Sequence, residues 1–312
     1  MEIQTIPQDI FIQDGQDPSS DKIAILLYHT NSPSPKTRIT LTKNLFSFLL
    51  DGEKTIHYSG KTIRIDPNQF LLLAGSNCLM SEKLSTNGRY SSLLLFFDDA
   101  LLTDFFLKYG SMIRRISART NRTKEPVVCF HKDPFILNYL HSLQLMLEPA
   151  TRSIAPGITA ATPIPPEMQL LKFEELMLYL AEKYPENLLS FQVGKQADLT
   201  DQQLKNTVES NLHSHISVEE LAFLCYTSLS TFKRRFARLY GTSPNKWILQ
   251  KRMELAATLL HHHQAKPSEV YYKVGYENHS SFTHSFKQAF GLTPSEFQQQ
   301  KTGHSIGEPV PE

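Results

Sequence analysis

Ser230-Thr231-Phe232-Lys233-Arg234-Arg235-Phe236-Ala237-Arg238-Leu239-Tyr240-Gly241-Thr242-Ser243-Pro244 decides the reading of this chain. Fifty residues later it returns as Ser280-Ser281-Phe282-Thr283-His284-Ser285-Phe286-Lys287-Gln288-Ala289-Phe290-Gly291-Leu292-Thr293-Pro294. Phe232 matches Phe282, Phe236 matches Phe286, Gly241 matches Gly291 and Pro244 matches Pro294. A unit used twice organises the chain before any single element is assigned.

In each copy the two Phe residues stand four apart and share one helix face. Leu239 and Ala289 are expected to extend that face, and Gly241 and Gly291 to end each helix in the left-handed conformation. Ser228 and Asn278, just before the helices, are the expected N-caps. A shorter apolar helix precedes each copy: Val218 to Cys225, entered from Ser217, and Ser268 to Val274, entered after Pro267. The second turn, through Gly275-Tyr276-Glu277, is one residue longer. Short helix, turn, longer helix is the helix-turn-helix pattern, whose second helix fits a DNA major groove.

The outward side of the first long helix carries the charge. From Ser230 to Arg252 there are seven basic residues (Lys233, Arg234, Arg235, Arg238, Lys246, Lys251, Arg252) and no acidic one. A merely solvated face would mix signs. Cations beside small hydroxyls supply both phosphate contact and base-edge reading. Over residues 198–300 the balance is only eleven Lys/Arg against nine Asp/Glu. Affinity for a polyanion must therefore come from arrangement, and it should depend on salt.

Residues 198–300 resemble the AraC-type DNA-binding domain, in which a long helix joins two helix-turn-helix motifs, here about 217–240 and 267–290. The marks are Leu221-Ala222, Arg252 with Ala256 and Leu260, Val274-Gly275-Tyr276, and Phe286-Lys287 with Phe290-Gly291 and Thr293-Pro294. The resemblance implies a transcription regulator, by family an activator with RNA polymerase as a further partner. One copy would insert both recognition helices into successive major-groove faces of a double-stranded DNA. Carried over by position, Ser230, Thr231, Lys233 and Arg234 would face the groove, with Arg238 nearer the phosphates. Arg234 is the strongest base reader, since Arg or Lys to guanine is the commonest specific contact. In the second helix the matching residues are His279, Ser280, Ser281 and His284, with Lys287 beside the backbone. Two positions depart from the family: His284 where Arg is common, and Tyr271 where a small residue is usual. Both point to a weaker or pH-sensitive second motif.

The N-terminal half has a different periodicity. Ile23–Tyr28, Arg38–Leu41, Leu45–Leu50, Lys54–Tyr58, Thr62–Ile65, Gln69–Leu73, Cys78–Lys83 and Tyr90–Phe97 read as short strands, separated by Asp51-Gly52, Ser59-Gly60 and Pro67-Asn68. Many short strands with tight turns suggest a small barrel or jelly roll, and the pattern resembles the cupin-type barrel at the N-terminus of many AraC-type regulators. A cupin barrel can also be a metalloenzyme with an accessory helical domain, which is the alternative function. That chemistry needs clustered ligands. His57 and His29 each stand alone, no nucleophile has an arranged base, and there is no glycine-rich phosphate loop. No catalytic residue, metal site or cofactor is therefore assigned, and the barrel reads as a sensor or docking module for a small-molecule or protein effector.

Helices follow. Asp98 to Tyr109 is short, and Asp133 to Leu147 starts at Asp133-Pro134. The five prolines between Pro149 and Pro166 mark an expected loop. Glu167–Tyr184 places Leu170, Phe173, Met177, Leu180 and Tyr184 three and four apart, a narrow apolar seam. Two readings stay open: a homodimer through paired helices (Leu170, Phe173, Met177, Leu180), or packing on the chain's own barrel. Leu171-Lys172-Phe173-Glu174-Glu175-Leu176-Met177 also resembles the corresponding helix of AraC-type activators of type III secretion, in which partner proteins can supply the control.

The expected plan is α+β in two domains. A β-rich, cupin-like domain spans 1–184, helical from about 98; a linker spans 185–197; the all-α DNA-binding domain spans 198–300, capped at Asp198 or Thr200; and a tail spans 301–312. His261, His262 and His263 end the joining helix as exposed positions, because consecutive helical residues diverge too far to share an ion. The three cysteines, Cys78, Cys129 and Cys225, read as reduced core residues. No basic, apolar leader opens the sequence and no apolar run has membrane-spanning length, so the expected location is the cytoplasm, without a membrane partner.

Overall fold

The computed structural model describes residues 3–11, 22–58, 61–112, 125–147, 152–155, 158–160, 164–191, 201–212, 214–262 and 265–302. The expected cap at Asp198 or Thr200, His263 and the tail beyond residue 302 lie outside them. The chain divides into two compact units: residues up to Ala197, apart from Ser59–Lys61, and residues from Asp198 on.

The N-terminal unit opens with β1 (Ile3–Ile6) and α1 (Gln8–Phe11). Eight strands follow at the expected places: β2 (Ile23–Thr30), β3 (Ser34–Leu41), β4 (Asn44–Asp51), β5 (Glu53–Tyr58), β6 (Lys61–Ile65), β7 (Gln69–Leu73), β8 (Asn77–Lys83) and β9 (Tyr90–Phe97). Then come α2 (Asp99–Lys108), β10 (Val127–His131), α3 (Pro134–Leu147), β11 (Arg152–Ala155), β12 (Ile158–Ala160), α4 (Pro166–Lys183) and α5 (Pro185–Ser190). Two sheets form, ordered β1-β3-β8-β5-β6 and β10-β7-β4-β9-β2-β12-β11.

The two sheets differ in sequence for a physical reason. β5 alternates, burying Lys54, Ile56 and Tyr58 while Glu53, Thr55 and His57 stay partly exposed, so one face meets the core. β4 reads as a nearly continuous apolar run because its sheet is covered on both sides. Leu45 and Leu49 face the other sheet with Leu94 and Phe96. Phe46 and Phe48 face the helical layer with Phe97, Leu140 and Phe173. The Phe97 and Phe173 rings lie 5.0 Å apart and tie α4 to the sheet.

Four expectations change. The proline-rich run is not all loop, because β11 and β12 pair antiparallel and β12 meets β2 at Ile158–Tyr28. The linker begins later than 185, because Leu188 and Phe191 are buried in the N-terminal core. β1 and β10 are added to the eight expected strands; β1 is only four residues long, and β10 is a five-residue run just after Pro126. Finally, Phe173, Met177 and Leu180 are fully buried in the core of their own unit, while Leu170 at the rim is 39% exposed. The seam thus follows the second reading, and three of the four residues expected to dimerise are occupied internally.

The C-terminal unit contains α6 (Asp201–Ser210), α7 (Val218–Leu224), α8 (Leu229–Tyr240), α9 (Pro244–His262), α10 (Pro267–Lys273), α11 (His279–Phe290) and α12 (Pro294–Thr302). Cys225 is buried at the end of α7, and burial pushes its thiol up to about 11. Cys78, also buried, is pushed up to about 12, again by desolvation. Neither is poised as a thiolate.

Candidate nucleic-acid interface

The repeated stretch folds the same way twice. At α8 the Ser228 side chain accepts from the Thr231 backbone N–H at 3.2 Å; at α11 the Asn278 side chain accepts from the Ser281 N–H at 2.8 Å. Gly241 and Gly291 take φ of +69° and +78° and return their N–H groups to Ala237 and Lys287. Phe232, Phe236, Phe282 and Phe286 are all fully buried.

Ala289, expected on the buried face, is exposed. The face is completed one position later. Tyr240 stacks on Phe236 at 4.4 Å and Phe290 meets Phe286 at 4.6 Å. Trp247 and Phe297, also fifty residues apart, close each aromatic cluster at 5.8 and 5.3 Å from those Phe rings. The repeat therefore extends beyond the stretch in which it was recognised, through a pair that differs in residue type.

With one side of each helix fixed inward, the other is fixed outward. On α8, Ser230, Lys233, Arg234 and Arg238 are exposed and Thr231 is half-buried. On α11, His279, Ser280, Ser281, His284 and Lys287 are exposed. The structure thus groups the ten expected contact residues on two outward faces. Some hydroxyls are already engaged: Ser228 bonds to both Ser230 and Thr231 as part of the cap. Tyr271 reaches across from α10, its ring edge-on to that of His279 at 5.9 Å. A side chain larger than the family pattern thus contacts the first residue of the second recognition helix.

The basic stripe is smaller than its composition. Arg238 Nη2 donates to both carboxylate oxygens of Asp201, at 3.0 and 3.2 Å. Lys251 pairs with Glu254 at 2.7 Å. Arg252 turns inward and donates to the Leu212 and Ser214 carbonyls. Lys233, Arg234 and Lys246 remain exposed and make no ion pair among the described residues.

The N-terminal unit holds a second feature, which the sequence reading missed. A cavity of about 300 Å³ lies in its strand layer, with Tyr28, Lys54, Met80, Glu82 and Leu94 among its lining residues. Lys54 is 2% exposed; its Nζ donates to Ser47 Oγ at 3.0 Å and lies 5.7 Å from the Tyr90 ring centroid. Burial lowers the Lys54 pKa, opposed by the nearby Glu82 carboxylate. The Tyr28 hydroxyl donates to Glu82 at 3.2 Å. The alternation of β5 carried the signal, since Lys54 shares a face with Ile56 and Tyr58. Among the described residues no three His, Cys, Asp or Glu side chains are grouped to hold a metal, and no helix is long and apolar enough to cross a membrane.

Two helix-turn-helix motifs on a joining helix, each with a capped and outward-facing second helix, define a DNA-binding regulator. Comparison with known proteins agrees. Residues 44–191 match the ExsA N-terminal regulatory domain and residues 221–300 a helix-turn-helix domain. The thermoregulatory protein LcrF of Yersinia pestis and the virulence regulon transcriptional activator VirF of Yersinia enterocolitica are each 26% identical over 253 residues, 81% of this chain and 88% of theirs. The HTH-type transcriptional regulator ExsA of Pseudomonas aeruginosa is 24% identical over 277 residues, 88% of this chain and 92% of its own. The chain thus carries an AraC-type helix-turn-helix domain at its C-terminus and an N-terminal regulatory domain of the ExsA kind, and its relatives are AraC-type transcription regulators. It is a regulator rather than the metalloenzyme of the alternative reading.

Proposed function

We propose that this chain activates transcription by placing α8 and α11 in successive major-groove faces of one promoter duplex. The observation that carries this reading is the duplicated construction of the two helices, each held by a side-chain cap, a left-handed glycine and a buried pair of Phe rings. Arg234 reads a base edge, with Lys233, Ser230 and Thr231 beside it; Arg238 reaches phosphate after leaving Asp201. On α11, His279, Ser280, Ser281 and His284 face the groove and Lys287 lies by the backbone. RNA polymerase is the partner through which an activator acts, and VirF, to which the chain is similar, is a transcriptional activator. One copy suffices for a two-patch site, and a homodimer would need a surface other than the buried residues of α4. The signal enters at the N-terminal domain. The cavity beside Lys54 favours a small effector over a partner protein, because it offers an enclosed polar group.

The test is selection of sites from a random duplex pool by the full chain at physiological salt. Two enriched patches one helical turn apart support the reading. Arg234→Ala should cost about 1–3 kcal/mol and relax preference at one base position. An unchanged preference removes Arg234 as a base reader, and enrichment of a single patch removes α11.

A further inference from the structure

The Arg252 guanidinium touches the segment that leads into the first helix-turn-helix motif and the turn of the second. It projects from α9, the helix that joins them. Its Nε donates to the Leu212 carbonyl at 3.1 Å and its Nη2 to the Ser214 carbonyl at 2.8 Å, both in the approach to α7 and the first motif. On the other side it lies against Gly275, in the turn of the second motif. A Cβ built on Gly275 would fall 2.9 Å from Arg252 Cζ, closer than real Cβ atoms come, and a tight 3.0 Å from Nη2. The side chain is largely buried, and desolvation lowers its pKa, although Arg stays charged at any ordinary pH.

This geometry is specific to arginine. Two carbonyls in different backbone positions are met by two nitrogens of one rigid plane, whose face packs on a residue without a side chain. A lysine has a single ammonium and no plane, so it cannot fill all three roles. Gly275 adopts φ of +83°, which accounts for a glycine there. The close guanidinium adds a second requirement that φ alone would not impose.

We propose that Arg252 is a positioning residue that sets the relative pose of α8 and α11, and so the spacing between the two DNA patches that one copy reads. The proposal rests on the two-helix reading given above. Arg252 itself contacts no DNA. It links the approach to the first motif with the turn from which α11 departs, and a change in either contact alters the separation of the two outward faces.

The same contact can be perturbed from both sides. Arg252→Lys keeps the charge and loses the planar fork; Gly275→Ala keeps Arg252 and wedges a methyl against it. Gly291→Ala is the control, because Gly291 has a similar φ of +78° and nothing within 4 Å of its Cβ position. It suffers the same backbone strain without touching Arg252. The full chain and each variant are titrated against duplexes that carry the two selected patches with the spacer lengthened or shortened by one and two base pairs, and against each patch alone.

The parent should show one sharp spacer optimum. In Arg252→Lys and Gly275→Ala the affinity ratio between the best and neighbouring spacers should fall by about threefold or more, the lower range for a contact that couples two sites. Single-patch affinities should match the parent, and Gly291→Ala should keep the parent's spacer profile. If both variants keep that profile while remaining folded, Arg252 is packing only. If Gly291→Ala flattens the profile equally, backbone strain and not the guanidinium is responsible, and the proposal fails. A variant that loses single-patch binding has lost the fold of a motif; Arg252→Gln, which keeps a planar donor group, must then restore single-patch binding with a flattened profile, or the proposal falls. A parent chain without any spacer optimum overturns the two-helix reading itself.

Discussion

Replacing Lys54 with methionine should make the N-terminal unit more stable. Lys54 is 2% exposed, and its ammonium has one hydrogen-bond partner among the described residues, the neutral hydroxyl of Ser47. Glu82 stands directly opposite on β8 but accepts from Tyr28 instead of closing an ion pair. Replacing buried ionic groups by apolar ones of similar volume is often neutral or stabilising, in the latter case by about 1–4 kcal/mol. Methionine is unbranched and of similar length, so it fills the space with little strain. Loss of the bond to Ser47 subtracts about 1 kcal/mol, leaving a net gain of up to about 3 kcal/mol. Ser47 keeps Ser92 as a neighbour at 3.4 Å.

The pH dependence has a fixed sign. Burial lowers the Lys54 pKa in the folded chain below the ordinary value of 10.5. Between the lowered folded value and 10.5 the unfolded chain binds more protons, so this group makes the parent more stable as pH rises through that window. Below it the cost of the buried charge is felt in full. Lys54→Met lacks this slope, so its advantage is greatest at low pH and narrows towards 10.5. Urea unfolding followed by circular dichroism at about pH 6, 7.5 and 9 measures the margin, with amide exchange in β4 and β5 assigning it to this unit. A variant less stable than the parent throughout, or a margin that widens with pH, would show that Lys54 is compensated by Glu82 after all.

Other substitutions test separate elements. Tyr226, in the turn of the first motif, holds φ of +56°, where the second motif has Gly275. Tyr226→Gly relieves about 1–2 kcal/mol of left-handed strain against about 0.5–1 kcal/mol of extra chain entropy, so thermal unfolding should show a small net gain; a lower melting temperature would mean that the Tyr226 ring contributes more than its backbone costs. Asp201→Asn frees Arg238 from an exposed ion pair, so duplex affinity should rise and the log–log salt slope steepen by up to about 1. A slope equal to the parent's would place Arg238 out of reach of phosphate. Met177→Ala removes a fully buried side chain and should cost about 2–5 kcal/mol. Leu171→Glu, on the same helix but 59% exposed, should leave stability nearly unchanged. Equal losses would contradict the inward-facing seam.

How far the sequence could be read follows from how local each constraint is. The eight strands between residues 22 and 97 were legible because turn residues separate short runs, and the caps at Ser228 and Asn278 because capping acts within three residues. The hairpin β11–β12 was hidden by prolines, which punctuate a strand pair as readily as a loop. The α4 seam was ambiguous because a narrow apolar stripe packs equally well on a partner helix or on its own sheet. Only the second sheet face of β4, carrying Phe46 and Phe48, resolves it. Phe46 and Phe48 need a cover, and the nearly continuous apolar run of β4, broken only by Ser47, is consistent with one.

Arg252 and Lys54 are the two cations whose charge alone misleads. Both lie on apolar faces: Arg252 stands four residues before Ala256 and eight before Leu260, both buried, and Lys54 alternates with Ile56 and Tyr58. Periodicity places each on an inward face, yet Arg252 was counted with the outward basic stripe because its charge was read before its spacing. Their partners were not legible, because Leu212, Ser214 and Gly275 meet Arg252 only through the packing of separate helices, and Ser47 meets Lys54 only after the strands assemble. Arg252 is met by two carbonyls, and the motifs on either side of it carry out a function that a repeated local pattern already declared. Lys54 is met by one hydroxyl beside a cavity, and the function there depends on what enters it. The output half of this regulator was readable for the same reason that its input half was not: reading DNA requires a repeated outward face, whereas sensing requires an inward one, and the chemistry of an inward face is set by chain segments that sequence keeps apart.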